Sequence, residues 1–224
     1  MTRTITLGAL TALVIALAAP SARAQEASSA ARVAASVQAF YDQTTTVRTS
    51  FHQTHYDRIY QRTTRSRGVL TIARPGKMRF DYLAGSGKVV VTDGRALTVY
   101  EPDEDGGGGQ YARRDLDDGL PSALGFLAGT ARLDRDFTFR LRDPSSVGWD
   151  GHVLELRPRR AEPAYRRVLL FVDDDAATAG VVRKVLVQDH EGNLNLFEFR
   201  RTRFNAPVAD DRFVLEMPVG ARRI

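Results

Sequence analysis

From Thr46 to the C-terminus, apolar and polar residues alternate with a period of two, interrupted once. That period predicts strands with one face buried and one wet. The runs are "TVRTSFHQTHYDRIY", "GVLTIARP", "KMRFDYL", "KVVVTDG", "ALTVYEP", "DFTFRLRD", "HVLELRP", "RRVLLFVD", "VVRKVLVQD", "NLNLFEFRRTRF" and "RFVLEMP", about eleven strands. Turn chemistry separates them: "GSG" at 85–87, Asp93-Gly94, "DDDAATAG" and "HEGN". A Gly-rich tip, "DEDGGGGQ", follows the fifth run. Short turns between neighbouring strands predict a largely antiparallel sheet.

Two stretches have a helical period instead. In "EASSAARVAASVQAFYDQ", Val33, Val37, Phe40 and Tyr41 form one apolar stripe, and Ser28 or Ser29 suits a cap. In "DDGLPSALGFLAG", Leu120, Leu124 and Leu127 share a face, Asp117 and Asp118 suit the start, and Gly129 suits the end. A sheet this large with one apolar face must close, sandwich or be covered. A curled sheet plugged by two short helices fits the element count.

The hairpin "GVLTIARPGKMRFDY" sharpens the picture. Parity puts Leu70, Ile72, Met78, Phe80 and Tyr82 on one face, and Arg74 ends that face at the Arg-Pro junction. By spacing alone, Arg74 ends a strand at the rim and touches water.

The N-terminus reads differently. "MTRT", the apolar run Ile5 to Ala19 and "SARA" form a secretory signal with Ala22 and Ala24 at the small positions. The apolar part is too short to span a bilayer as a helix. Residues 1–24 are therefore expected to be cleaved, leaving 25–224 as one domain. Without Arg3 and Arg23, 30 basic residues face 27 acidic ones, a net of +3. That balance is too slight to point to nucleic acid. The chain has no cysteine, so it has neither disulfides nor a lipid-attachment site, and is expected to be soluble after export.

Catalytic and metal signatures are weak. His52 and His55 sit on a strand, where their side chains point to opposite faces. His152 and His190 flank turns and lack a nearby ligand pair. "GGGG" at 106–109 lacks the Lys and helix of a phosphate loop. "DEDG" and "DDDAATAG" lack the distal Glu of a calcium loop. Glu155, Glu198 and Glu216 are expected in strands, with alternation placing carboxylates on a wet outer face. The basic stretch Arg157 to Arg167 reads as a solvated hairpin or as a surface for an acidic partner. No catalytic residue, metal or cofactor is assigned.

The order of features resembles a known family. The amphipathic helix is followed by "SFHQTH", "GVLTIARPGKMRFDY", "VVVTDGRALTVYEP", the Leu-rich segment, "VLLFVDD" and "LVQDHEGNLNLFEF", and "FNAPVADDRFVLEMPVGARRI" closes the chain. This is similar to the periplasmic outer-membrane lipoprotein carrier proteins, the LolA family, across the mature chain. The resemblance implies an incomplete, strongly curled antiparallel β-barrel with short helices as a lid. It implies a monomeric periplasmic chaperone, not an enzyme. Such a chaperone takes acylated lipoproteins from an inner-membrane lipoprotein-releasing ABC transporter to an outer-membrane lipoprotein receptor. It also implies that Arg74 latches the lid, and that Leu70, Ile72, Met78, Phe80, Tyr82, Leu120, Leu124 and Leu127 line an acyl-chain cavity. The Gly-rich tip, Gly125, Gly129 and the short tail after Pro218 depart from the family pattern. The alternatives are a lipid- or lipoprotein-sensing periplasmic binding protein, an exported β-sandwich hydrolase using paired carboxylates, and a structural envelope module.

Overall fold

A computed structural model describes residues 22–83, 87–103, 108–116 and 125–224. Helix α1 (Ala22–Asp42) comes first, then β1 (Thr46–Asp57), β2 (Arg62–Ala73), β3 (Lys77–Leu83), β4 (Val89–Asp93), β5 (Ala96–Glu101) and β6 (Gly109–Asp115). A one-turn helix α2 (Leu133–Asp136) leads into β7 (Phe137–Arg142), β8 (His152–Pro158), β9 (Arg167–Val172), β10 (Val182–Gln188), β11 (Leu194–Phe204) and β12 (Ala221–Arg223).

All twelve strands of the described residues belong to one sheet, in the order β12-β6-β5-β4-β3-β2-β1-β11-β10-β9-β8-β7. Every pairing is antiparallel except β12 with β6. β1 and β11 pair although they lie far apart in sequence, which brings the two arms of the sheet together. The ends, β12 and β7, do not bond to each other, so the sheet is open. A single continuous sheet excludes the two-sheet sandwich.

Alternation sets the two faces as expected. Val47, Phe51, Leu70, Ile72, Met78, Phe80, Phe197 and Phe199 are buried on the inner side. Helix α1 lies over β7 and β8 and adds Ala30, Ala34, Val37 and Tyr41 to the same core. Val33 and Phe40 pack at its margin, and the Phe40 ring meets Phe204 edge-on at 4.8 Å.

Several expectations need correction. Helix α1 begins well before Ser28 and Ser29, which lie inside it; Ser29 Oγ donates to the Gln25 carbonyl at 3.0 Å rather than capping. "RFVLEMP" is not a strand. A one-turn 3-10 helix over Asp210–Phe213 tucks Phe213 into the protein, and the chain continues irregularly to β12. β6 and β12 were not expected. The Leu-rich segment lies outside the described residues up to 124, and Gly125 to Gly129 form turns rather than an α-helix. Those turns still end as a helix would. Thr130 N–H donates to the Gly125 carbonyl (2.9 Å) and Gly129 N–H to that of Phe126 (3.1 Å), the paired bonds of a Schellman cap. Gly129 is at φ +78, the left-handed conformation that the motif requires.

Candidate functional site

Four aromatic rings dominate the inner wall. Phe51 meets Phe80 at 5.4 Å, Tyr82 at 5.1 Å and Phe197 at 6.1 Å, and Phe80 meets Phe197 at 5.8 Å. Gly68 makes this possible. It stands opposite both Phe51 and Tyr82, and a Cβ there would fall 2.6 Å from the Phe51 ring and 2.2 Å from the Asp81 carbonyl. Burial pushes the Tyr82 phenol up to about 12, with a hydrogen bond from Gln53 opposing, so the phenol stays neutral.

The five strand residues singled out from the sequence come together. Leu70, Ile72, Met78 and Phe80 are buried in one cluster, with Tyr82 partly buried against it. Leu127 is buried in the same cluster, while Leu120 and Leu124 lie outside the described residues. Phe126 was missed. Its ring meets Tyr41 edge-on at 5.5 Å and joins the turn segment to α1. Nothing local in the sequence shows that the strands of Phe51 and Phe197 are neighbours.

Arg74 sits where three elements meet. Its N–H donates to the Thr45 carbonyl at 2.8 Å, fixing the end of β2 beside the end of α1. Its side chain is 12% exposed, and the guanidinium approaches Asp42, the last residue of α1, with Nη2 3.9 Å from Oδ1. It also lies against Gly129, where a Cβ would fall 2.7 Å from Nε. Asp42 in turn is 3.6 Å from Arg132 Nη1. Neighbouring bonds tie the same pieces. Gly76 N–H donates to the Ala128 carbonyl (2.7 Å), and Leu133 N–H to Gln38 Oε1 (2.9 Å).

The guanidinium is incompletely paired. Nη1 is buried without a hydrogen-bond partner among the described residues. No side-chain bond from Arg74 to a carbonyl occurs among them, so its contacts are the ion pair and the packing on Gly129. Burial lowers the Arg74 pKa, opposed by Asp42 and Tyr41. Burial likewise raises that of the Tyr41 phenol. Neither shift brings a charge change near neutral pH.

The inner wall is covered by side chains in this arrangement. A pocket of about 490 Å³ opens beside the cover, between α1 and the strands β7 to β9, and Val33, Leu141 and Val172 are among its lining. Elsewhere, His52 and His55 stand in β1 opposite Glu198 and Asn195. Among the described residues no group of His, Cys, Asp and Glu could hold a metal. Glu155 departs from expectation. Its side chain is 1% exposed, enclosed by Arg140, Arg142, Arg157 and Arg167 at 2.8–3.7 Å. Glu198 pairs with Lys184 on β10 at 2.8 Å, and Glu216 is exposed in the irregular C-terminal segment.

The chain is thus an open curled sheet whose apolar inner face is covered by α1 and a turn segment. Residues 42–216 match the family described as Outer membrane lipoprotein carrier protein LolA. The chain belongs to that family. It is 27% identical over 190 residues to the outer-membrane lipoprotein carrier protein of Nitrosospira multiformis, covering 83% of this chain and 84% of that one. With the corresponding protein of Alkalilimnicola ehrlichii it shares 28% identity over 216 residues, covering 95% and 91%. Among solved structures, the LolA superfamily protein NE2245 from Nitrosomonas europaea is similar at a TM-score of 0.49. Its identity is 16%, with 83% of this chain and 97% of that chain covered. No helix of the described residues is long and apolar enough to cross a membrane.

Proposed function

We propose that this protein is a periplasmic carrier of acylated lipoproteins. It is exported by a signal over residues 1–24 and acts as a monomeric domain over 25–224. It takes cargo from a lipoprotein-releasing transporter in the inner membrane and passes it to a receptor in the outer membrane. Sheltering fatty tails needs apolar area and no bond chemistry. Ten buried methylenes already stabilise a complex by about 8 kcal/mol. Tighter burial would slow release.

In this reading, Leu70, Ile72, Met78, Phe80 and Tyr82 form the wall that receives the acyl chains, and Leu120, Leu124 and Leu127 belong to its cover. α1 and the segment from Gly125 to α2 act as the lid. Arg74 is the latch, and its contact with Asp42 at the end of α1 supports that role most directly. An unpaired buried donor costs about 1–3 kcal/mol. The closed state is therefore held by packing and one long ion pair, and lifting the lid lets water reach the guanidinium. A cargo that binds the open state better then shifts the equilibrium.

Native mass spectrometry of protein taken from the periplasm tests the proposal. A co-purifying acylated polypeptide supports it. Protein that is free of lipid, together with failure to extract a lipoprotein from membranes in the presence of the transporter, sinks it.

A further inference from the structure

The convex side of the sheet carries a charge pattern that folding does not explain. Arg48 on β1 stands directly opposite Arg203 on β11. Like charges in that position destabilise a sheet. Arg200 lies on the same face, opposite Ser50, and β2 adds Arg65 and Arg67 opposite Thr54 and His52. All five are exposed, and none forms an ion pair among the described residues. The nearby carboxylates are engaged elsewhere: Glu198 with Lys184, and Asp81 with Arg79 and Arg212.

A β-bulge builds this arrangement. Residues 200 and 203 are three apart and would face opposite sides of a regular strand. The register slips between Arg48 and Ser50, where Thr49 alone faces Arg201 and Thr202. Arg201 takes up the slip at φ +54, a conformation seldom adopted by residues other than glycine. Thr49 Oγ1 bonds the Arg200 carbonyl (3.1 Å) and Thr202 Oγ1 (2.8 Å) across the bulge. Arg200 and Arg203 therefore both point outwards, while Phe199 and Phe204 both join the core.

We propose that the outer face of β2, β1 and β11 docks on a bilayer rich in anionic phospholipid, with phosphates seated at the Arg48–Arg203 pair. Guanidinium groups match phosphate geometry and tolerate desolvation better than ammonium groups. The composition of the face favours a lipid surface over a protein. Protein interfaces centre on apolar and aromatic anchors with charge depleted from the middle. Here arginines outnumber the apolar side chains: Val69 and Leu196 stand half-buried opposite Ser50 and Thr54, and the exposed Leu83 borders the face beside Arg67. This surface lies on the opposite side of the sheet from the apolar wall and does not depend on what that wall binds.

Vesicle flotation tests the docking. The purified protein should float with phosphatidylglycerol–phosphatidylethanolamine vesicles but not with phosphatidylcholine vesicles, more strongly at low salt. The double variant R48S/R203S should bind about 25-fold more weakly, taking about fivefold per arginine, and should melt no lower than the parent. R159S/R160S removes the same charge from another exposed site and should retain binding. If the double variant misfolds, R200Q serves, with about fivefold loss expected. No preference for phosphatidylglycerol, or equal loss in the control, overturns the proposal. So does binding of poly-glutamate without binding of vesicles, which would assign the face to an acidic protein. Binding of an acyl probe, followed in parallel, should be unchanged in every variant, which separates failure of docking from failure of carriage.

Discussion

The guanidinium of Arg74 lies 3.9 Å from the carboxylate of Asp42, so the end of the Arg-Pro strand and the end of the N-terminal helix are held by opposite charges. The contact is long, and Asp42 is shared with Arg132 and 44% exposed. A pair of that kind contributes about 0–1 kcal/mol.

Arg74→Leu should therefore leave the fold intact while altering the lid. Losing the ion pair and losing the unpaired Nη1 act in opposite directions. The melting temperature should move by only a few degrees, at about 2–4 °C per kcal/mol for a domain of this size. Transfer of a bound lipoprotein to its acceptor should slow, because the Asp42 pair that forms as the lid closes on the empty wall is lost. A wild-type transfer rate would falsify the latch.

Gly129→Ala attacks the same contact from the other side. The methyl group would fall 2.7 Å from Arg74 Nε, and the backbone would be held at φ +78. The left-handed conformation alone costs about 1–2 kcal/mol. Hydrogen exchange at the Gly76 and Leu133 amides, both bonded across the joint, should accelerate about 5- to 30-fold, the equivalent of that destabilisation. Unchanged protection would mean that the turn segment does not depend on its cap.

Phe80→Asp and Tyr82→Asp probe the wall. Phe80 is 7% exposed among three other rings, and losing such a side chain typically costs 3–5 kcal/mol. Tyr82 is only partly buried, so it is the milder site. Each variant should bind a fluorescent acyl probe at least tenfold more weakly while keeping its far-ultraviolet circular dichroism. Undiminished binding by a folded variant removes that residue from the acyl site.

Glu155→Gln should expose the strain among Arg140, Arg142, Arg157 and Arg167. Burial pushes the Glu155 carboxyl up, but the Arg157 hydrogen bond and the charges of Arg140 and Arg157 outweigh it, leaving the pKa below the ordinary glutamate value. A carboxylate lowered in the folded state adds stability above its unfolded pKa, about 4.3. That stability fades as pH falls through the folded value. Denaturant midpoints should thus fall more steeply below pH 4 for the wild type than for the variant. At pH 7 the variant should be about 1–3 kcal/mol less stable, the worth of charge-assisted bonds. Parallel pH profiles would show that Glu155 does not titrate with folding.

How much could be read before the structure depended on where each signal resides. "KMRFDYL" and "HVLELRP" coincide with β3 and β8, because alternation and flanking turns are both local. β6 was missed because "GQYARRD" has almost no apolar face and runs mostly exposed beside β5. "RFVLEMP" misled for the opposite reason. Phe213 is buried, yet it reaches the protein from a 3-10 turn packed on β3 and β4. The apolar face Leu70 to Tyr82 was legible from parity within one hairpin. Its partners Phe51, Phe197 and Phe126 were not, since their approach depends on β1–β11 pairing and on the path of the chain across the opening. Glu155 looked solvated because alternation assigns a face but does not show which neighbours cover it.

The unjoined ends of the sheet bear on capacity. A sealed cylinder has a girth set by its ladder, and enlarging it means rupturing a row of bonds. Here β12 and β7 end the series without bonding to each other, so the circumference has a seam. Spreading that seam would break no rung of the ladder, so in the proposed carrier the girth is free to follow the bulk of the cargo.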